Sequence, residues 1–446
     1  MDKHNEKERL NNSREMLKCN DCNLIIEEEY AYCRKCKKKV CLKCLINHNI
    51  NCKNKLNKEN ENLKEIKLDI INNKINNLNI NNEKYKNSRN YGIDLLRIYS
   101  MINVVILHII GKGKIIYSNK YSKNYYSAWL LETISYSAVN TFGMISGYVM
   151  INSKFNGFKI IPHWLHVFYY RFIFVFKDLF ISPKKLNNWQ KKDLILSLFF
   201  PATSGKNWYF TCYFCMYFFI PFMNKLILVM SKEENRKLFL TIIIIFCILP
   251  FIPLNTSDPF SIKRGYCPFW LMFLYIIGAY IRLFPLQLSI TKYLILYLLS
   301  IIIPWGIKLI SHFIMLYFYK IKDYELGIFI QYNSFFIVLN SICLITNFSK
   351  LKINNKFFQF IIALTTELSF GVYLIHLWIL DKFLKKQISF LIKENYLLVN
   401  VKVIIYSLET VLLCLLFDLI RLLIFKFLKI NILSKKLSEI FDNLIK

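Results

Sequence analysis

Acidic residues are scarce in this chain of 446 residues: 29 Asp and Glu stand against 59 Lys and Arg, a formal net charge of +30. Charge of either sign is thin as well, at 20% of residues, below the roughly 25% of a soluble globular chain. The apolar residues, 55% of the total, are not dispersed but come in long blocks separated by short lysine-rich loops. That distribution excludes a water-soluble globule and marks a polytopic helical membrane protein. The shortage of acid does not imply a nucleic-acid partner. The lysines sit mostly in the N-terminal tail and in loops flanking apolar blocks. Attraction to anionic lipid headgroups accounts for that placement. The expected partner is a lipid bilayer, with no nucleic acid.

Other signatures are missing. The N-terminus is polar and charged, with no apolar core region, so no cleavable leader is expected there. The loop Gly111-Lys112-Gly113-Lys114 has neither the preceding strand nor the following Ser or Thr of a phosphate-binding loop. No Ser-His-Asp nucleophile set is visible. Discontinuous spans and a matching repeat between the two halves, which would favour a transporter, are not seen.

What is present centres on residues 91–113. This block is apolar over about 20 residues, the length that crosses a bilayer, yet it carries Asp94, Arg97 and His108. Asp94 and Arg97 are three apart and therefore neighbours on a helix. Arg97 and His108 fall within ~20° of each other around the axis and ~16 Å apart along it. A polar stripe on an apolar helix belongs against a protein interior or a water-filled cavity, and intramembrane ionisable groups mark function by default. Read without function, the Asp-Arg pair is an interface anchor and the histidine a helix-helix contact.

The fold expected is all-α, a polytopic membrane helix bundle of about ten spans. They lie near 93–112, 131–152, 160–182, 207–230, 237–254, 266–284, 289–310, 327–347, 357–380 and 396–428. An even number puts both termini on one side, and the basic loops at 231–237 and 349–356 and the basic tail make that side the cytosol. Which membrane holds the protein is left open. The remaining segments are a disordered tail (1–17), a cysteine module (18–53), an Asn/Lys/Ile-rich linker (54–90) and a basic cytosolic tail (431–446) that follows the membrane domain (91–430).

Seven of the 13 cysteines fall in the module. The spacing is Cys19-x2-Cys22-x10-Cys33-x2-Cys36-x4-Cys41-x2-Cys44-x3-His48-x3-Cys52. Eight soft donors in pairs suit two tetrahedral zinc ions. A segment so poor in large apolar side chains cannot build a core, so the metal would supply the folding energy. Disulfides would require an oxidising compartment, against which the leaderless N-terminus argues. All eight ligands close two sites and leave no open position, which makes the zinc structural. The other six cysteines, including Cys212 and Cys215, lie in apolar blocks as small buried hydrophobes.

The module resembles a B-box-type zinc finger. The resemblance implies interleaved ligand sets, Cys19, Cys22, Cys41 and Cys44 on one ion and Cys33, Cys36, His48 and Cys52 on the other, and a protein-binding role. Cys52 stands where that family more commonly has histidine. The 91–113 block resembles the first span of the membrane-bound acyltransferase-3 family, of the sugar and glycan O-acetyltransferase type. Its signature is Asp-x-x-Arg followed by Arg-x10-His, matched by Asp94, Arg97 and His108. Further blocks match in the same order: Phe142 through Tyr148 with its Ile-Ser-Gly-Tyr, Trp208-Tyr209 through Asn224, Gly278 through Arg282, Tyr332-Asn333-Ser334, and Ser369 through Tyr373 and His376.

The resemblance implies transfer of an acyl group, acetyl in the first place, from acyl-CoA to a hydroxyl of a carbohydrate or lipid-linked glycan. Such a reaction needs a base for the hydroxyl proton and donors for the carbonyl oxygen. His108 suits the base, Arg97 the donor's phosphate or pantetheine carbonyl, and Asp94 the orientation of Arg97. His376, Tyr373, Trp208 and Tyr209 are candidates for the cavity. Lys159 and Arg171 are candidates for donor binding, standing where related enzymes carry an arginine cluster. Ser146 is expected to pack beside Gly143 and Gly147, and His163 and His166 to lie at the membrane interface. Two other functions stay open: a multi-pass transporter, and a membrane-anchored zinc-finger adaptor whose acyltransferase-like domain is inactive.

Overall fold

The computed structural model describes residues 89–117, 122–153, 160–181, 187–252, 258–320 and 328–430, a few positions beyond 430, and two short strands nearer the N-terminus. The chain divides into two units, Met1–Lys86 and Asn87–Lys446. In the first, β1 (Tyr30–Tyr32) pairs antiparallel with β2 (Lys39–Cys41), Tyr30 opposite Cys41. The all-α expectation did not include this ribbon, whose aromatic and β-branched residues suit a strand. Of the eight candidate zinc ligands only Cys41 falls on it. Cys19, Cys22, Cys33, Cys36, Cys44, His48 and Cys52 lie outside the described residues, as does most of the 54–90 linker.

The described part of the second unit is helical. α1 spans Tyr91–Lys112, α2 Lys123–Ser135, α3 Ala138–Met150, α4 Ile161–Phe176, α5 Asn188–Phe199, α6 Trp208–Val229 and α7 Lys232–Ile242. α8 spans Pro268–Leu283, α9 Ile290–Tyr317, α10 Phe335–Ser349, α11 Lys356–Phe383, α12 Lys385–Phe390 and α13 Tyr396–Phe427. Wider five-residue turns extend α4 through Lys177–Ile181 and α7 through Ile243–Ile248. Among the described residues five helices, α1, α6, α9, α11 and α13, are long and apolar enough to cross a membrane. Leu294, Ile295, Leu298 and Ile302 on α9 and Leu408, Leu412 and Leu416 on α13 are exposed, the apolar belt that lipid would cover.

α1 is the axis of the bundle. In its most apolar window 61% of residues are buried, against 28% for α9, as befits a helix that is apolar nearly all round. Val105, Ile109 and Ile110 pack with Val372, Ile375 and Ile379 of α11 and Val399 and Val403 of α13. Ile93 and Leu96 pack with Leu274 and Ile277 of α8 and Val338 and Ile345 of α10. Its start is held tightly: Asn90 accepts from the Ile93 amide at 3.1 Å and donates to the Ser349 carbonyl at 2.9 Å. A Cβ on Gly92 would lie 2.0 Å from the Phe348 carbonyl oxygen.

The second expected span is two helices, because the chain breaks at Tyr136 and Ser137 between α2 and α3. Hydroxyl side chains meet the carbonyls at the break. Ser137 Oγ donates to the Ile134 carbonyl at 3.3 Å, and the Ser137 carbonyl accepts from Thr141 and from Ser341 of α10, at 2.9 and 3.1 Å. Such back-bonding bends helices. α3 then packs against α8 through glycine: a Cβ at Gly147 would sit 1.9 Å from the Tyr275 carbonyl oxygen, and one at Gly278 1.9 Å from that of Met144. This is close backbone contact through small residues. α5, which has a Gln190 capping box, was not expected from the sequence.

Candidate active site

Asp94 is 3% exposed and holds two arginines. Arg97 Nη1 donates to Oδ1 at 2.5 Å, and Arg89 Nε donates to Oδ2. One turn of helix brings Arg97 to Asp94, whereas Arg89 reaches it from the residues just before α1. Two guanidinium groups on one carboxylate leave a net positive charge there. Thr366 of α11 donates to the Asp94 carbonyl at 3.4 Å.

Beside this pair a cavity of about 780 Å³ runs along α1. α1 lines it with Arg97, Met101, Val104, His108 and Gly111. α3 adds Phe142 and Ser146, α6 adds Trp208, Tyr209 and Tyr213, and α11 adds Thr366, Glu367 and Tyr373. Two residues of the stripe read from helix periodicity therefore face one chamber, Arg97 toward the start of α1 and His108 toward its end, while Asp94 is off the lining and bonded to Arg97. Exposed residues stand on the lining at both ends. Glu367, next to the Thr366 that touches Asp94, is one; Tyr117, just beyond α1, is the other, at 67% exposure.

His376 of α11 is not on the cavity wall but behind His108, their ring centres 4.8 Å apart and tilted by 45°. His376 Nδ1 lies 2.9 Å from the Val372 carbonyl oxygen. A carbonyl only accepts, so Nδ1 carries the proton and Nε2 of the neutral ring keeps a lone pair. That Nε2 is buried and has no hydrogen-bond partner among the described residues.

Tyr373, Trp208 and Tyr209 lie on the cavity wall, and the Tyr373 hydroxyl accepts from the Phe210 amide at 3.4 Å. Arg171 on α4 is half-buried and away from the lining, and Lys159 lies outside the described residues. Ser146 differs from its expectation. Gly143 and Gly147 face α8, while Ser146 lines the cavity with Oγ donating to the Phe142 carbonyl at 3.0 Å. The reason is angular: around the helix Ser146 is turned ~60° from Gly143 and ~100° from Gly147, to the side of the glycine face.

His163 and His166 do not share an interface position. His163 lines the cavity, its ring 5.5 Å from Phe370. His166 is buried and bonds Asp418 Oδ1 through Nε2 at 2.7 Å. The same carboxylate accepts from the Tyr170 hydroxyl at 2.8 Å and from Arg421 Nε and Nη2 at 2.9 and 2.7 Å. This satisfied cluster ties α4 to α13. Sequence reasoning missed it, and missed Glu132, Tyr136, Tyr266 and Tyr332 on the cavity lining. The available signal was the occurrence of Glu132, Asp418 and Arg421 inside apolar blocks. Among the described residues no group of three or more His, Cys, Asp or Glu could hold a metal ion.

The acyltransferase domain model of the acyltransferase-3 family matches residues 90–419. The chain belongs to the acyltransferase-3 family. The match covers well over half of its length, and all three residues of the α1 stripe fall inside it. Among curated proteins and solved structures, nothing matches significantly. Family membership and the long apolar helices together make this an integral-membrane acyltransferase.

Proposed function

We propose that the protein transfers an acyl group, acetyl in the first instance, from acyl-CoA to a hydroxyl of a carbohydrate or lipid-linked glycan inside the α1 cavity. The observation that carries this reading is that Arg97 and His108 face one chamber with exposed residues at both ends. A nitrogen of His108 takes the acceptor's hydroxyl proton as the oxygen attacks the thioester carbonyl. The tetrahedral intermediate then collapses with cleavage of the C–S bond. The CoA thiolate leaves and receives the proton back from His108, so no net proton accumulates on the ring.

Distance divides the labour. Arg97 lies ~16 Å along the helix from His108, too far to meet the carbonyl oxygen at the reacting centre. It therefore suits the donor's phosphates or pantetheine arm, with Asp94 orienting it. His376 suits a positioning role: its ring packs against that of His108, and its unpartnered Nε2 would accept the ring N–H of His108 once the two rings turn to meet, leaving the other His108 nitrogen free to act as base.

The same proposal includes ten spans with both termini in the cytosol. It also gives the 18–53 segment two structural zinc ions and a protein partner. What supports the first is a helix in each expected apolar block and the basic loops. What supports the second is the ligand spacing.

The test is purified His108→Ala with labelled acetyl-CoA and a glycan acceptor. Transfer should fall by roughly 10²- to 10⁴-fold, the worth of a general base, with helix content intact. A normal rate would remove His108 from the mechanism.

A further inference from the structure

An acid on the cavity wall has no part in the steps above. Glu132 of α2 is 8% exposed and lines the chamber, and its Oε2 is buried with no hydrogen-bond partner among the described residues. Glutamate is almost never buried without compensation. Here the charge that acts on it is Lys308 of α9, itself 3% exposed. Lys308 Nζ stands 3.8 Å over the ring of Trp129, one turn before Glu132. Lys308 opposes the cost of burying this acid, and the acceptor capacity of Oε2 is not used up.

An aromatic patch lines the cavity with it. Tyr136, four residues on, has its ring centre 4.8 Å from that of Tyr332. Tyr332 is 4.8 Å from Tyr266, and Tyr266 is 4.7 Å from Trp208. All four rings are on the lining. The fold holds this patch by specific means. Gly265 has φ +95°, and a Cβ there would lie 2.5 Å from Tyr332 Cβ, so only glycine allows the two loops to close. Asn140 donates to the Tyr332 carbonyl at 2.6 Å and accepts from Trp270 Nε1 at 3.0 Å.

We infer that Glu132 and the ring patch form the acceptor subsite, taking a neutral polyhydroxylated ring whose C–H face lies on the aromatics and whose hydroxyls donate to the carboxylate. The inference rests on the acyl-transfer reading of the cavity and names the residue that selects its acceptor. Flat aromatic walls with a few convergent polar groups are how pockets fix a small ring. Two other occupants fit less well. A quaternary cation also favours aromatic faces, but the acid beside these rings already has the positive charge of Lys308 acting on it, and Glu367, the other acid on the lining, stands at the Arg97 end of the cavity. The donor's adenine would bring phosphates toward Glu132, when the net positive charge is at Arg97.

The experiment uses the full-length protein with methyl glucoside as probe, choline as the cationic comparison and acetyl-CoA as donor. Glu132→Gln and Tyr136→Ala are made separately, so that one variant still reports if the other does not fold. Binding of the glucoside without donor is read by saturation-transfer NMR, and KM is read for each substrate. Each variant should raise KM for the glucoside at least tenfold and weaken its NMR signal, while KM for acetyl-CoA stays within about twofold. A glucoside KM equal to wild type in both variants would overturn the subsite and leave acyl transfer standing. A rise in the acetyl-CoA KM instead would make this the donor's site, and preferential transfer to choline would make it a cation cage; each ends the proposal. Glucoside binding that depends on Glu132 in a protein that transfers nothing would keep the subsite and end the acyl-transfer reading.

Discussion

His108 and His376 lie ring against ring, 4.8 Å between centres, with the inner ring's proton committed to the Val372 carbonyl. Two imidazoles packed in this way have unequal roles. The buried one keeps an unpartnered Nε2 that is an acceptor only, and its neighbour faces the chamber.

Replacing His376 by Phe keeps the packing and removes the acceptor. It should lower kcat roughly 10- to 100-fold, the range seen when the partner that orients an imidazole is lost, with KM for acetyl-CoA little changed. Gln, whose carbonyl oxygen accepts, should recover part of the rate. Equal rates for Phe and wild type would show that His376 only fills space.

Arg97→Ala should act on the donor. Because it is distant from the base, KM for acetyl-CoA should rise at least tenfold, about 1.4 kcal/mol, and kcat should change less. Arg97→Lys should not restore it, since a point charge cannot reproduce the planar fork that Asp94 holds. Steady-state kinetics with dephospho-CoA esters would separate a phosphate contact from a pantetheine contact. A kcat loss without a KM change would place Arg97 at the reacting carbonyl instead.

Gly278→Ala should be among the most damaging changes outside the cavity. Its Cβ would lie 1.9 Å from the Met144 carbonyl oxygen, backbone that cannot move aside without parting α3 from α8. The cost should exceed the roughly 1–3 kcal/mol of ordinary overpacking, seen as a lowered melting temperature in detergent. Gly306→Ala on α9 is the control. Nothing lies within 4 Å of a Cβ there, so helix propensity alone should make it neutral or stabilising by up to about 1 kcal/mol.

Metal analysis of the full chain should return about two zinc ions per molecule. Cys22→Ser with Cys44→Ser should lower that value, and acetyl transfer by the membrane domain should be unaffected. Purified protein with no zinc would remove the module as proposed.

Much of α1 was legible in the chain itself. The rise and turn of a helix fix how residues on one helix face relative to each other, so Asp94, Arg97 and His108 shared a stripe before any partner was known. Long apolar blocks likewise announced a helical membrane protein. The break after Ser135 was not legible, because it depends on hydroxyls bonding to nearby carbonyls and on Ser341, which comes from another helix. The placement of His376 behind the wall, of Arg171 off it and of Ser146 on it was equally hidden.

The sequence by itself determined that a bilayer-length helix carries an acid, an arginine and a histidine on one face, and which family that pattern belongs to. Only the tertiary structure decided that His376 backs His108, that Asp418 gathers His166, Tyr170 and Arg421, and that Glu132 shares a wall with Tyr136, Tyr266 and Tyr332. The physical reason is range. Helical geometry relates residues a few positions apart, whereas meetings between helices depend on which small residues let two backbones close, and that is settled by packing over the whole bundle.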